Sequence, residues 1–139
     1  MTGILLVAHG ALADELITSV AMIMGRVPLL RAVGLRADEN LDDFAREIEV
    51  AWRALEEENA EYILVLVDMF GGSCSNVAAR LVRDKDPGRV ALLTGVNLPM
   101  VLEAAIDREL YPLPELVAKI IHAGQKSIVD VRAAMAPKA

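Results

Sequence analysis

Two stretches of this chain, ILLV at residues 4–7 and YILVLV at 62–67, are apolar without a break. A strand with one face in water alternates apolar and polar residues, whereas a continuous short run marks a strand covered on both faces. Strands of that kind belong to parallel sheets, and parallel neighbours need long crossover connections, usually helices. The remaining sequence supplies them. Leu12, Leu16, Val20 and Ile23 form an apolar stripe through a helix over residues 11–24, with Asp14 and Glu15 in its first turns and Gly25 as its stop. Residues 29–35 read as a second strand. Asn40 is the N-cap of a helix over 41–57, in which Leu41, Phe44, Ile48, Trp52 and Leu55 share a face. After the third strand at 62–67 comes a helix over 74–83, a fourth strand over 89–94, and a helix with Pro99 in its first turn, where the missing N–H does no harm. A further helix over 114–123 ends at Gly124, and Ser127 to Val131 is the candidate for a short fifth strand.

This alternation predicts an α/β fold: a doubly wound, mostly parallel sheet of order 2-1-3-4 with helices on both faces. In that order strands 1 and 3 are neighbours, and the crevice at their carboxyl ends is where open α/β sheets bind ligands. The whole of residues 1–139 is expected to form one domain. Met22, Met24 and Met100 read as core fillers, and His122 as a cation suited to a helix end.

Composition removes several classes of function. A net charge of −6 gives no basic footprint for nucleic acid or an anionic membrane surface. A single cysteine, Cys74, excludes an internal disulfide and favours a reducing compartment. No apolar run approaches the roughly 18 residues of a spanning helix, and no basic residue precedes the first apolar stretch as in a secretory signal. The chain therefore reads as complete and cytoplasmic, with no direct membrane insertion.

The chemistry gathers at the predicted crevice. His9 ends the first strand and Asp68 ends the third. A carboxylate beside an imidazole takes the hydrogen bond from one ring nitrogen, fixes the tautomer and leaves the other nitrogen basic. That nitrogen can serve as nucleophile, base or metal ligand. The segment after Asp68 narrows the choice, because Gly71-Gly72-Ser73 opens directly into a helix starting at Cys74. Glycines let backbone approach a ligand closely, and the free N–H groups of a first helical turn suit a phosphate. Asn97, at the mouth of the fourth strand, offers further donors. A nucleophilic histidine facing an anion site indicates phosphoryl transfer through a phosphohistidine.

Three segments carry a resemblance. AHG after the first strand, VDMFGGS after the third and TGVNLPM after the fourth resemble the mannose-type enzyme IIA component of the bacterial phosphoenolpyruvate-dependent sugar phosphotransferase system, over essentially the whole chain. The resemblance implies that His9 accepts a phosphoryl group from the histidine-containing phosphocarrier protein and passes it to a IIB partner during sugar uptake. It implies that Asp68 orients His9, and that Gly10, Gly71, Gly72, Ser73, Cys74 and Asn97 surround the phosphoryl group. It also implies a homodimer that exchanges its C-terminal strand, for which Ser127–Val131 is the candidate. No cofactor and no metal are implied. Such a chain touches only phosphoryl groups and proteins, so the choice of sugar belongs to the membrane partners. Two positions depart from the family pattern: Cys74 stands where Pro is common after GGS, and Ser75 where many members have Phe. Cys74, at a helix start, is a candidate for a lowered thiol pKa and redox sensitivity.

Other readings weigh less. The same fold phosphorylated on His9 could regulate another protein without feeding a transporter. A Ser73-His9-Asp68 hydrolase triad lacks the G-x-S-x-G elbow, because Ser75 stands where glycine is needed. Neither a Walker sequence nor G-x-G-x-x-G is present. With two histidines far apart in sequence, a helical metal-binding pair is absent.

Overall fold

A computed structural model of the chain describes residues 1–137. Its elements run β1 (Thr2–His9), α1 (Leu12–Met24), β2 (Leu30–Leu35), α2 (Leu41–Glu57), β3 (Tyr62–Val67), α3 (Ser73–Arg83), β4 (Val90–Thr94), α4 (Leu98–Asp107), α5 (Leu113–Lys126) and α6 (Val131–Met135). The four strands are ordered β2-β1-β3-β4 and every pairing is parallel. The predicted sheet order is therefore the observed one, with β1 and β3 as the central pair.

Strict alternation of side chains sends successive residues of β1 to opposite faces. Leu5 and Val7 join Phe44, Ile48, Trp52 and Leu55 of α2 and Cys74, Val77 and Ala78 of α3 in one apolar layer. Ile4, Leu6 and Ala8 join Ala13 and Val20 of α1, Met100, Val101 and Ala104 of α4, and Leu116 and Ile120 of α5 in the other. Ile4 to Ala8 have no exposed surface at all, as the unbroken apolar run requires. The α2 start is capped as expected, its Asn40 side chain accepting from the Asp42 amide at 2.7 Å.

Four expectations are corrected. The buried face of α1 is Ala13 and Val20, flanked by Leu16 and Ile17, whereas Leu12 and Ile23 are exposed. Leu16 and Val20 of the expected stripe do face the core, but Ala13 and Ile17 complete that face in place of Leu12 and Ile23, a rotation that a helix with apolar residues on more than one side permits. Met22 and Met24 are exposed at the end of α1; only Met100 fills the core. Gly124 does not end α5, which runs on to Lys126. A Cβ at 124 would lie 2.6 Å from Met100 Cγ, so this glycine is there to let α5 close on α4. Finally, residues 128–130 hold no strand: Ser127 caps α5, α6 begins at Val131, and Ile128, Val129 and Val131 are exposed. Strand formation needs a paired neighbour, and this segment pairs with none among the described residues.

Candidate active site at the carboxyl ends of β1 and β3

Val7 pairs with Val67 in the central ladder, so His9 and Asp68 leave the sheet side by side. The Asp68 amide donates to the Val7 carbonyl at 3.2 Å, which continues the pairing into the turn. Asp68 Oδ2 then receives two hydrogen bonds from His9, one from its backbone N–H at 2.9 Å and one from ring Nδ1 at 2.7 Å. Its other oxygen, Oδ1, accepts from the Met69 amide at 3.0 Å. Burial opposes ionisation of this carboxyl, but the His9 amide, the His9 ring and the Met69 amide outweigh it and hold Asp68 below its usual range. An ionised carboxylate only accepts, so Nδ1 carries a proton, and in the neutral ring Nε2 keeps its lone pair. The His9 side chain is 48% exposed and that of Asp68 12%. The orienting group is thus covered and the reactive nitrogen is reachable.

The turn after His9 is set by close packing. A Cβ at Gly34 of β2 would fall 2.1 Å from the Gly10 carbonyl oxygen, a distance no side chain tolerates. Glycine at 34 lets the His9-Gly10 turn fold over β2, where the Gly10 amide donates to the Leu35 carbonyl at 2.8 Å. On the other side, Ser75 Oγ accepts from the Gly71 amide at 2.9 Å and donates to the Gly72 carbonyl at 3.3 Å. That hydroxyl fastens the glycine turn to the first turn of α3. Gly72 lies against the imidazole: a Cβ there would be 3.6 Å from His9 Cε1.

These bonds sort the expected anion-binding positions. The amides of Gly10 and Gly71 are spent on Leu35 and Ser75. Those of Gly72, Ser73 and Cys74, at the start of α3, donate to no acceptor among the described residues. Asn97 is occupied with structure: Oδ1 accepts from Met100 N at 3.1 Å and Nδ2 reaches Gly124 O at 3.3 Å and Ser127 Oγ at 3.4 Å. It joins the start of α4 to the end of α5 rather than pointing free donors at His9. Cys74 is buried, with Sγ 3.6 Å from His9 Nδ1. Burial, and then the Asp68 charge, push its thiol up to about 11. This overturns the expectation of a lowered thiol pKa, because burial and a nearby carboxylate outweigh the helix start.

The ligand-type atoms of His9, Asp68 and Cys74 lie within 4.8 Å of one another. Sequence position brings all three to the same crevice, but only the fold brings their ligand-type atoms this close, since they come from two strand ends and a helix. The role of Ser75 was missed; the signal was a hydroxyl four residues after a glycine at a helix start, the local side-chain-to-backbone bond such residues favour. Met69 and Phe70 are exposed beside the site and form an apolar rim. A separate groove of about 830 Å³ runs along β2. Three arginines line it, and each is engaged by acids: Arg31 by Glu58, Arg36 by Glu39 and Glu47, Arg46 by Asp43. Among the described residues each of these guanidinium groups is paired with a carboxylate, and His9 is not in the groove's wall.

The fructose-specific EIIA component of the phosphotransferase system (PTS) of Bacillus subtilis (strain 168) is 31% identical over 127 residues, 91% of this chain and 84% of that protein. The mannose-specific EIIAB component of Escherichia coli (strain K12) is 30% identical over 132 residues, 94% of this chain. The chain spans 40% of that relative's length. Among solved structures, the phosphotransferase system component EIIA from Streptococcus agalactiae superposes with a TM-score of 0.85 at 28% identity, covering 96% of this chain and 99% of that one. The mannose/sorbose specific IIA subunit from Enterococcus faecalis gives 0.78 at 28% identity, over 99% and 98% of the two chains. Residues 3–121 match the model of the EIIA-man family, described as the PTS system fructose IIA component, and the chain belongs to that family.

Proposed function

We propose that this chain is a cytoplasmic phosphocarrier of the sugar phosphotransferase system, with His9 as its phosphoryl acceptor. The observation that carries the reading is the 2.7 Å contact between His9 Nδ1 and Asp68 Oδ2 beside an exposed ring. Nδ1 is held as a donor, so the Nε2 lone pair attacks the phosphorus of the phosphohistidine on the histidine-containing phosphocarrier protein. The P–N bond of the donor breaks, its electron pair returns to the donor imidazole, and a P–Nε2 bond forms on His9. The ring gains positive character as that bond forms, and the Asp68 carboxylate stabilises it. The step to the IIB partner is the same displacement in reverse. The free amides of Gly72, Ser73 and Cys74 meet the phosphoryl oxygens, while Gly10, Gly71 and Asn97 hold the walls in which they sit. Met69 and Phe70 supply apolar contact for a protein partner at the rim.

Incubation with phosphoenolpyruvate, enzyme I and the phosphocarrier tests the reading. One phosphoryl group per chain should map to His9, be lost in acid and survive mild alkali. Protonation of the ring makes imidazole a good leaving group, whereas phosphoserine on Ser73 or Ser75 would persist in acid. Labelling of His9→Ala to the normal level would overturn it.

We also propose that two chains associate through the C-terminal segment. Exposed Ile128, Val129 and Val131 follow α5, and β4 is an edge of the sheet. Light scattering should give twice the chain mass for the full chain and a smaller particle after deletion of residues 126–139. A monomeric full chain would exclude the pairing.

A further inference from the structure

His9, Asp68 and Cys74 are placed by three separate elements, yet their ligand-type atoms converge within 4.8 Å. The Cys74 Sγ to His9 Nδ1 distance is 3.6 Å. In tetrahedral zinc sites, with bonds of about 2.3 Å to sulfur and about 2.0–2.1 Å to nitrogen, two such ligands stand about 3.6 Å apart. Asp68 Oδ2, at 2.7 Å from Nδ1, is at hydrogen-bond distance and needs to open by about 0.6–0.8 Å to share a metal with it. One nitrogen, one carboxylate oxygen and one sulfur make a borderline-soft donor set. Such a set suits zinc and related transition ions; calcium and magnesium take all-oxygen sets. The half-exposed imidazole provides the way in, and water can take the fourth position.

We propose that His9, Asp68 and Cys74 bind a single zinc-type divalent cation through Nδ1, Oδ2 and Sγ, and that the bound ion switches off His9. The Cys74 thiol loses its proton to solvent as the metal–sulfur bond forms. The metal–nitrogen bond uses the Nδ1 lone pair, so the one proton of the neutral ring moves to Nε2. A protonated Nε2 has no electron pair with which to attack phosphorus. The ion therefore excludes the phosphoryl group through the tautomer, without filling the space the phosphoryl group would occupy. The silencing of transfer rests on the carrier role of His9; the metal binding does not. The third ligand comes from the position at which this chain departs from the family pattern, so the site is a property of this sequence.

The test uses the full chain, freed of metal with a chelator and titrated with cobalt(II) as an optical stand-in for zinc. One equivalent should bind with a thiolate-to-cobalt charge-transfer band in the near ultraviolet and the strong visible bands of a tetrahedral ion. Zinc should abolish both. Cys74→Ser and Cys74→Ala should lose the charge-transfer band. In these two variants and in Asp68→Asn the affinity should fall by at least about the 10–100-fold known for loss of a ligand-supporting group. His122→Ala, which alters the other histidine, should change nothing. In the unaltered chain, zinc should shift the ring resonances of His9 and leave those of His122 in place, a readout that needs no variant to fold. The proposal is overturned if the charge-transfer band is missing, persists in Cys74→Ser, or if the shifted ring is His122. A chain that shows the band but takes no phosphoryl group from the phosphocarrier refutes the carrier reading alone. A chain that is phosphorylated on His9 yet gives no band refutes the metal site alone.

Discussion

At the amino end of β1 the Arg108 guanidinium, carried by the residue that ends α4, donates through Nη1 to the Thr2 carbonyl at 3.2 Å. Arg108 is 6% exposed and Thr2 4%, and burial lowers the arginine's pKa against an opposing pull from Glu109. At the carboxyl end of the same strand, His9 bonds Asp68 with half its side chain in solvent. Both ends pair an ionisable side chain with a group at a strand end. At the amino end the cation is sealed in and its hydrogen bond closes the bottom of the sheet. At the carboxyl end only the carboxylate is covered, and the ring it holds stays open to a partner. Parallel sheets favour this asymmetry, since the loops that follow their strands all gather at the carboxyl edge. A polar contact at one end of β1 is therefore read as support and at the other as chemistry.

That contrast can be broken experimentally. Asp68→Asn should leave the fold in place and slow phosphoryl acceptance by about 10²–10⁴-fold, the usual range for positioned acid–base partners. An amide can accept from Nδ1 but cannot stabilise a cationic ring. Rapid-quench transfer rates within a factor of two of the parent chain would remove Asp68 from the mechanism. Gly34→Ala comes next. It pushes on the Gly10 carbonyl and through it on His9, and a displacement of about 1 Å is worth on the order of 10²-fold in rate. The imidazole resonances of His9 should move in the same variant; an unchanged rate and spectrum would mean the turn has slack. Arg108→Met should have the smallest effect and of a different kind. A hydrogen bond to a charged group is worth about 1.5–3 kcal/mol, partly offset here by relief of a buried cation, so denaturant unfolding should show a loss of no more than about 3 kcal/mol. The transfer rate per folded molecule should stay at the parent value. A large rate defect in Arg108→Met would erase the distinction between the two ends.

Much of this was readable in the chain before any folding was known. Unbroken apolar runs at 4–7 and 62–67 indicated buried parallel strands, and the order 2-1-3-4 then brought His9 and Asp68 into one crevice. The α2 stripe needed only one adjustment, since Phe44, Ile48, Trp52 and Leu55 are all buried and Leu41 alone is exposed. Errors fell where local pattern was degenerate. In α1, apolar residues occupy more than one face, and the side that meets the sheet is chosen by β1 and α4. Gly124 has the composition of a helix stop, but Met100 packs against it and the helix continues. Ile128 and Val129 have strand-like side chains but pair with no strand among the described residues.

Sequence by itself determined the secondary-structure rhythm and the strand ends that carry His9 and Asp68, because apolar periodicity and strand-end position are local properties that survive without knowledge of neighbours; the sheet order followed from the order common to doubly wound folds and was made real by tertiary pairing. The tertiary structure alone decided which backbone donors are free. Gly10 and Gly71 look as suitable for an anion as Gly72, yet their amides are taken by Leu35 and Ser75, partners that only folding brings within reach. It also decided the state of Cys74. A helix start argues for an easily ionised thiol, but apolar surroundings and the Asp68 carboxylate push it up to about 11. Hydrogen-bond partners and desolvation are set by distances in space, and those distances join residues as far apart in the chain as His9, Asp68 and Cys74.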